Sequence, residues 1–178
     1  MIISLRGTNG AGKSTIVRSI LHESHFTEIR SEDRRKPVGY ICSPRDHHAM
    51  KKTFIPGHYE IQNGGIDTLK SLDAAYDMIR SHWLSGHHVL YEGKNMTDRT
   101  SRIREFPVTE VIIIVIDHPV ELCIEAVRAR GHSIRQQTIE KIARYSAIDA
   151  DRLAVAGYEV LRLDRDAAIE KVREVIRG

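Results

Sequence analysis

Gly7-Thr8-Asn9-Gly10-Ala11-Gly12-Lys13-Ser14 satisfies G-x-x-x-x-G-K-[ST] at every position, and its neighbours decide how it is read. In front lies a short apolar run, Ile2 to Leu5; behind, Ile16, Val17, Ile20 and Leu21 recur at helical spacing. The unit is therefore strand, glycine loop, helix, the setting in which such a loop binds phosphate. Glycine lets the backbone curl until several N–H groups face one anion. The helix opening near Lys13 adds the positive end of its dipole. The expected nucleotide cradle is Gly7, Asn9, Gly10, Ala11, Gly12, Lys13, Ser14 and Thr15. Lys13 is expected to reach the β and γ phosphates of ATP, and Ser14 to hold Mg²⁺.

Outward from this loop, strands alternate with helices. Val38 to Cys42 and Thr53 to Tyr59 read as strands, the second bent or ended by Pro56 and Gly57. Pro44 to Lys52 between them reads as a loop, and Phe26 to Lys36 carries charge without a period. Ile66, Leu69, Leu72, Tyr76, Ile79 and Trp83 form one face of a helix predicted over 66–84 and stopped by Gly86. His88 to Tyr91 follows as a strand. Val111 to Ile116 is wholly apolar and β-branched, as a central parallel strand covered on both faces would be. Pro119 opens the next helix. A long helix over Gln137 to Ala156, a strand over Tyr158 to Leu163 and a helix over Ala167 to Ile176 complete the chain. The expectation is an α/β protein of three layers around a mainly parallel five-stranded sheet, with residues 1–178 forming a single domain.

Composition agrees with that reading and narrows it. The chain has 178 residues, 41% hydrophobic and 29% charged, enough for a packed core without disulfides. Its longest apolar run, Val111 to Ile116, is far short of the ~20 residues of a membrane span. The start, Met-Ile-Ile-Ser-Leu-Arg-Gly, has no basic leader. Cys42 and Cys123 match no zinc or redox spacing, and the expected compartment is the cytoplasm. A net charge of +3 does not by itself indicate nucleic acid. His47-His48 and His87-His88 suggest no zinc site, because adjacent strand residues point to opposite faces.

Further motifs choose among loop-bearing nucleotide binders. Asp117 is followed by His118-Pro119-Val120, so the guanine-reading N-K-x-D is missing, and no transporter-type signature helix is present. Val89-Leu90-Tyr91-Glu92-Gly93 is a strand ending in an acid, which places Glu92 to hold Mg²⁺ through water or to accept a hydroxyl proton. Pro56-Gly57-His58-Tyr59-Glu60 and Gly64-Gly65-Ile66-Asp67-Thr68 lie on the acceptor side. Asp67 either deprotonates an acceptor hydroxyl or only caps a helix; Tyr59, beside His58, could stack on a base.

With its additional Gly10 and following Thr15, the loop resembles those of nucleoside and nucleotide kinases. That resemblance implies a P-loop NTPase fold like that of the nucleoside-monophosphate kinases, with ATP and Mg²⁺ as cofactors. It also implies a short helical lid, about residues 128–140, bringing Arg128, Arg130 or Arg135 onto the transferring phosphoryl group; a solvated helix end reads equally well. The succession G-H-Y-E, G-G-x-D-T and a strand ending E-G further resembles phage P-loop kinases of thymine hypermodification. This implies ATP-dependent phosphorylation of the hydroxymethyl oxygen of 5-hydroxymethyluracil in DNA, in host cytoplasm. Arg34, Arg35 and Lys36, Lys51 and Lys52, and Arg99, Arg102 and Arg104 are candidate contacts to a DNA backbone. The alternatives are a kinase of a free nucleoside or nucleotide, and an ATPase switch without an acceptor. Glu92-Gly93 stands where a thymidylate kinase would be expected to carry Asp-Arg.

Overall fold

A computed structural model of the chain describes residues 1–45, 51–60, 64–93, 100–131 and 134–178. Seven strands form one sheet: β1 (Ile2–Arg6), β2 (Ser24–Ile29), β3 (Gly39–Pro44), β4 (Thr53–Pro56), β5 (His88–Glu92), β6 (Val111–Ile116) and β7 (Glu159–Leu163), in the order β2-β3-β4-β5-β1-β6-β7. From β4 to β7 every neighbouring pair is parallel. The expected five-stranded sheet is corrected to seven strands: an antiparallel hairpin, β2 and β3, is laid on β4, and of its two strands only β3 was read as one from sequence. Its outer strand escapes a periodicity reading for a physical reason. β2 lies at the sheet edge, most of its side chains face solvent, and its pairing with β3 holds it. An edge strand need not alternate apolar and polar residues to stay in place.

Side chains alternate across the parallel strands, which separates two cores. Ile3, Leu5, Leu90, Ile112 and Ile114 pack under α1 (Lys13–Glu23), α4 (Val120–Ala129) and α6 (Arg165–Arg177). Ile2, Val89, Tyr91, Val111 and Ile113 face the other way, toward α2 (Leu72–Leu84) and α3 (Thr100–Ile103). The result is three layers, and β6 is covered on both faces as its unbroken apolar run requires. α5 (Gln136–Val155) gives Ile139 to the first core and Leu153 to the second. Each fully buried Ile or Leu here contributes about 1.5–3 kcal/mol.

Helix ends follow their caps. The helix expected from Ile66 is divided into a 3-10 turn, Ile66–Thr68, and α2, because the Ser71 hydroxyl accepts from the Ala74 amide (3.0 Å) and restarts the helix. Asp164 does the same for α6 through the Ala167 amide (2.8 Å). Pro119 sits one residue outside α4, as its cap. Among the described residues no helix is long and apolar enough to cross a membrane.

Candidate active site

The phosphate loop leaves β1 and enters α1 at the carboxyl ends of the parallel strands, where α/β sheets place their ligands. Gly10 (φ +89°) lies so close to α4 that a Cβ there would stand 3.0 Å from backbone atoms of Cys123, so the extra glycine is a packing requirement. No side chain caps the start of α1, which leaves its first amides available to an anion. The Lys13 ammonium donates to the carbonyls of Gly7 (2.7 Å) and Thr8 (3.0 Å) and is buried. Burial lowers its pKa, while Glu92 and Asp67 pull it back up.

Directly behind the loop, the Ser14 hydroxyl lies 2.9 Å from both carboxylate oxygens of Glu92. Glu92 is 6% exposed, and burial pushes its pKa up to about 6 against the opposing pull of Lys13 and the Ser14 hydrogen bond. The two acceptor motifs form a ring around this carboxylate. His58 bridges to Gly65, the His58 amide donates to Thr68 Oγ1 (3.1 Å), and that hydroxyl donates to the Gly65 carbonyl (2.7 Å). Gly65 (φ +90°) rests on Glu92: a Cβ there would come within 2.7 Å of Oε1. Gly64 packs on the Tyr59 ring, 2.9 Å from Cε1 by the same construction. The ring's glycines are thus where it touches other groups at close range.

These parts enclose a cavity of about 590 Å³. Lys13, Ser14 and Glu92 line it at the phosphate loop, Gly64 and Asp67 from the ring, and Arg130 and Ile134 from the far side. The chain is 27% identical to a 5-hmdU DNA kinase of Pseudomonas phage PaMx11 and 24% identical to a 5-hmdU DNA kinase of Pseudomonas phage M6, in each case over 99% of this chain and 97% of the relative. It is a full-length homologue of phage 5-hmdU DNA kinases. The resemblance drawn from the three motifs is thereby borne out. Among solved structures it aligns with a deoxyadenosine kinase from M. mycoides at 16% identity and a TM-score of 0.46, over 98% of this chain and 97% of that one. No protein-family model matches the chain.

Of the residues singled out by sequence, Asn9, Gly10, Gly12, Lys13, Ser14, Thr15, Asp67, Glu92 and Arg130 share this cavity. Gly7 and Ala11 shape the loop without lining it. Other expectations are corrected. Arg128 is exposed and does not line the cavity. His58 and Tyr59 are each 4% exposed, and the Tyr59 ring lies 6.4 Å from the Tyr40 ring, buried in the core with no face open for a base. The expectation that Arg34 and Arg35 meet a DNA backbone is separate from the cavity: Arg34 donates to the Thr68 carbonyl (2.6 Å) and so anchors the ring from outside, and the neighbouring Arg35 is exposed. Of the stretch expected as a lid, the described residues end α4 at Ala129 and open α5 at Gln136, and residues 132 and 133 lie outside the described ones. Arg102 is engaged by Asp73 and Glu105. Arg99, His47 and His48 lie outside the described residues.

Among the cavity residues that escaped the sequence reading, Arg18 is the charged one. Arg18 lines the cavity, and its Nε donates to the Tyr59 carbonyl (3.1 Å), linking α1 to the acceptor ring. The signal was present: Arg18 follows Ser14 by four residues, which places both on one face of a helix. Among the described residues no three His, Cys, Asp or Glu side chains group as a metal cage. Mg²⁺ needs none, since it takes one or two protein oxygens with phosphate and water. The hard oxygens of Ser14 and Glu92, beside uncapped helix amides, fit it.

Proposed function

We propose that this chain transfers the γ-phosphoryl group of ATP to the hydroxymethyl oxygen of 5-hydroxymethyluracil in DNA. The observation that carries this reading is the shared cavity, with Lys13, Ser14 and Glu92 at the phosphate loop and Asp67 on the acceptor ring, in a full-length homologue of phage 5-hmdU DNA kinases. Lys13 and the first amides of α1 bind the donor's phosphates. Ser14 and Glu92 would hold Mg²⁺, which when bound supplies charge neutralisation on the β and γ phosphate oxygens. Asp67, which lines the cavity from the acceptor ring, serves as the base. It takes the proton of the acceptor hydroxyl as that oxygen bonds to the γ phosphorus and the bond to the ADP oxygen breaks. Arg130, at the C-cap of α4 on the far side of the cavity, stabilises the equatorial oxygens in the transition state. The product is a phosphomonoester on the base.

The experiment offers γ-labelled ATP with hydroxymethyluracil-containing DNA, ordinary DNA or free nucleotides. Label entering only the modified DNA is expected. Label on a free nucleotide instead refutes the DNA acceptor, and phosphate release without a labelled acceptor identifies an ATPase switch. Lys13→Ala should abolish transfer.

A further inference from the structure

Several basic groups stood as candidates for holding DNA, and the sheet topology separates them. β4 runs parallel to β5, so its end at Pro56 points the same way as Glu92. β3 is antiparallel to β4 with Gly39 opposite Pro56, and β2 is antiparallel to β3 with Ile29 opposite Gly39. The hairpin tip, residues 30–38, therefore projects at the active end of the sheet. Lys51 and Lys52 precede β4 and lie at the opposite end.

The tip is also fastened to the acceptor ring. The Gly57 amide donates to the Val38 carbonyl (2.7 Å), and the Arg34 guanidinium to the Thr68 carbonyl (2.6 Å). Thr68 adjoins Asp67, which lines the cavity. From Arg30 to Lys36 the tip carries four cations against two carboxylates, Glu32 and Asp33. Arg30 pairs with Glu28 of β2 (2.5 Å) and Asp33 accepts from Ser31. Arg35 and Lys36 are exposed, and the tip is positioned by Arg34 and by its backbone bonds.

We infer that this hairpin tip is the arm that grips the DNA backbone next to the modified base, with Arg35 and Lys36 on phosphates and Arg34 as the positioning residue that ties the arm to the acceptor ring. The inference rests on the DNA acceptor proposed above. The two added antiparallel strands thus place cations beside the acceptor half of the site. Phosphate contacts of this kind fix register without reading sequence.

The test measures binding of a fluorescent hydroxymethyluracil-containing DNA by anisotropy across a salt series. It compares wild type, the double variant Arg35→Ala with Lys36→Ala, and the opposite-end double variant Lys51→Ala with Lys52→Ala. Each lost phosphate contact lowers the slope of log K against log salt by about 0.9, so the tip variant should show a slope shallower by about 2 and about tenfold weaker binding near 0.1 M salt. The opposite-end pair should match wild type. Circular dichroism confirms that both variants are folded, since all four side chains are exposed. Equal losses in the two variants, an unchanged slope in the tip variant, or no DNA binding by wild type overturns the inference. Failure of the proposed function reads differently: wild type then binds DNA through the tip and transfers no label to it.

Discussion

Replacing Gly65 by alanine tests how the acceptor ring holds the Glu92 carboxylate. Gly65 has φ +90° and ψ −165°, a region that essentially only glycine occupies, so the backbone term is about 1–3 kcal/mol. The new Cβ would stand 2.7 Å from Glu92 Oε1 and 2.9 Å from Cδ, so the buried carboxylate must be displaced from Ser14, which adds about 1–3 kcal/mol. For a chain of this size each kcal/mol shifts the melting midpoint by about 2–4 °C, so Gly65→Ala should lower it by about 5–20 °C. Gly86→Ala is the matched control: its φ is +86°, yet nothing lies within 4 Å of the added Cβ, so only backbone strain of about 1 kcal/mol remains. Glu92 pushed off Ser14 should also reduce phosphoryl transfer by about 100-fold, which Gly86→Ala should not do. Thermal melts and γ-label transfer at saturating ATP measure both. If Gly65→Ala melts like Gly86→Ala and keeps its transfer rate, the ring does not position Glu92.

Glu92 also sets a pH dependence. Its pKa is raised from 4.5 to about 6, so between those values the native state binds more protons than the unfolded one, and stability falls as pH rises through that window. In metal-free protein the stability of wild type minus that of Glu92→Gln should drop by about 2 kcal/mol between pH 4 and 7 in chemical denaturation, and a flat difference refutes the buried charge. Arg130→Ala should cut kcat by about 100-fold, whereas Arg128→Ala should change it by less than about threefold; equal losses would mean that cavity lining does not decide the role. Arg18→Met should raise KM for the DNA acceptor by about tenfold with little change in KM for ATP, because its bond goes to the acceptor ring. Steady-state kinetics with each substrate varied distinguishes the two.

The sequence announced those parts of the fold whose chemistry is local. The phosphate loop needs only its own glycines, lysine and serine, and β6 announces its burial through an unbroken run of β-branched residues. Glu92 was legible because a strand end beside the loop has one geometric destination. The edge strand β2 was not, since its hold is the backbone pairing with β3 rather than an apolar face. Tyr59 was misread because a strand end next to a site can turn a side chain either into the cavity or under it. Arg18 was overlooked although its helical spacing from Ser14 was plain, because it belongs to no loop motif.

The fastening of the acceptor ring separates two design variables. Its closure depends on Gly57, His58, Gly65 and Thr68, which flank the segment between Glu60 and Gly64 rather than belong to it. The contact that seats Glu92 is made by Gly65 alone among the ring's glycines. Side chains on the acceptor side of the cavity can therefore change without moving the Ser14–Glu92 pair, as long as Gly65 is kept. Acceptor choice in this architecture is free to diversify at a constant phosphoryl-transfer centre.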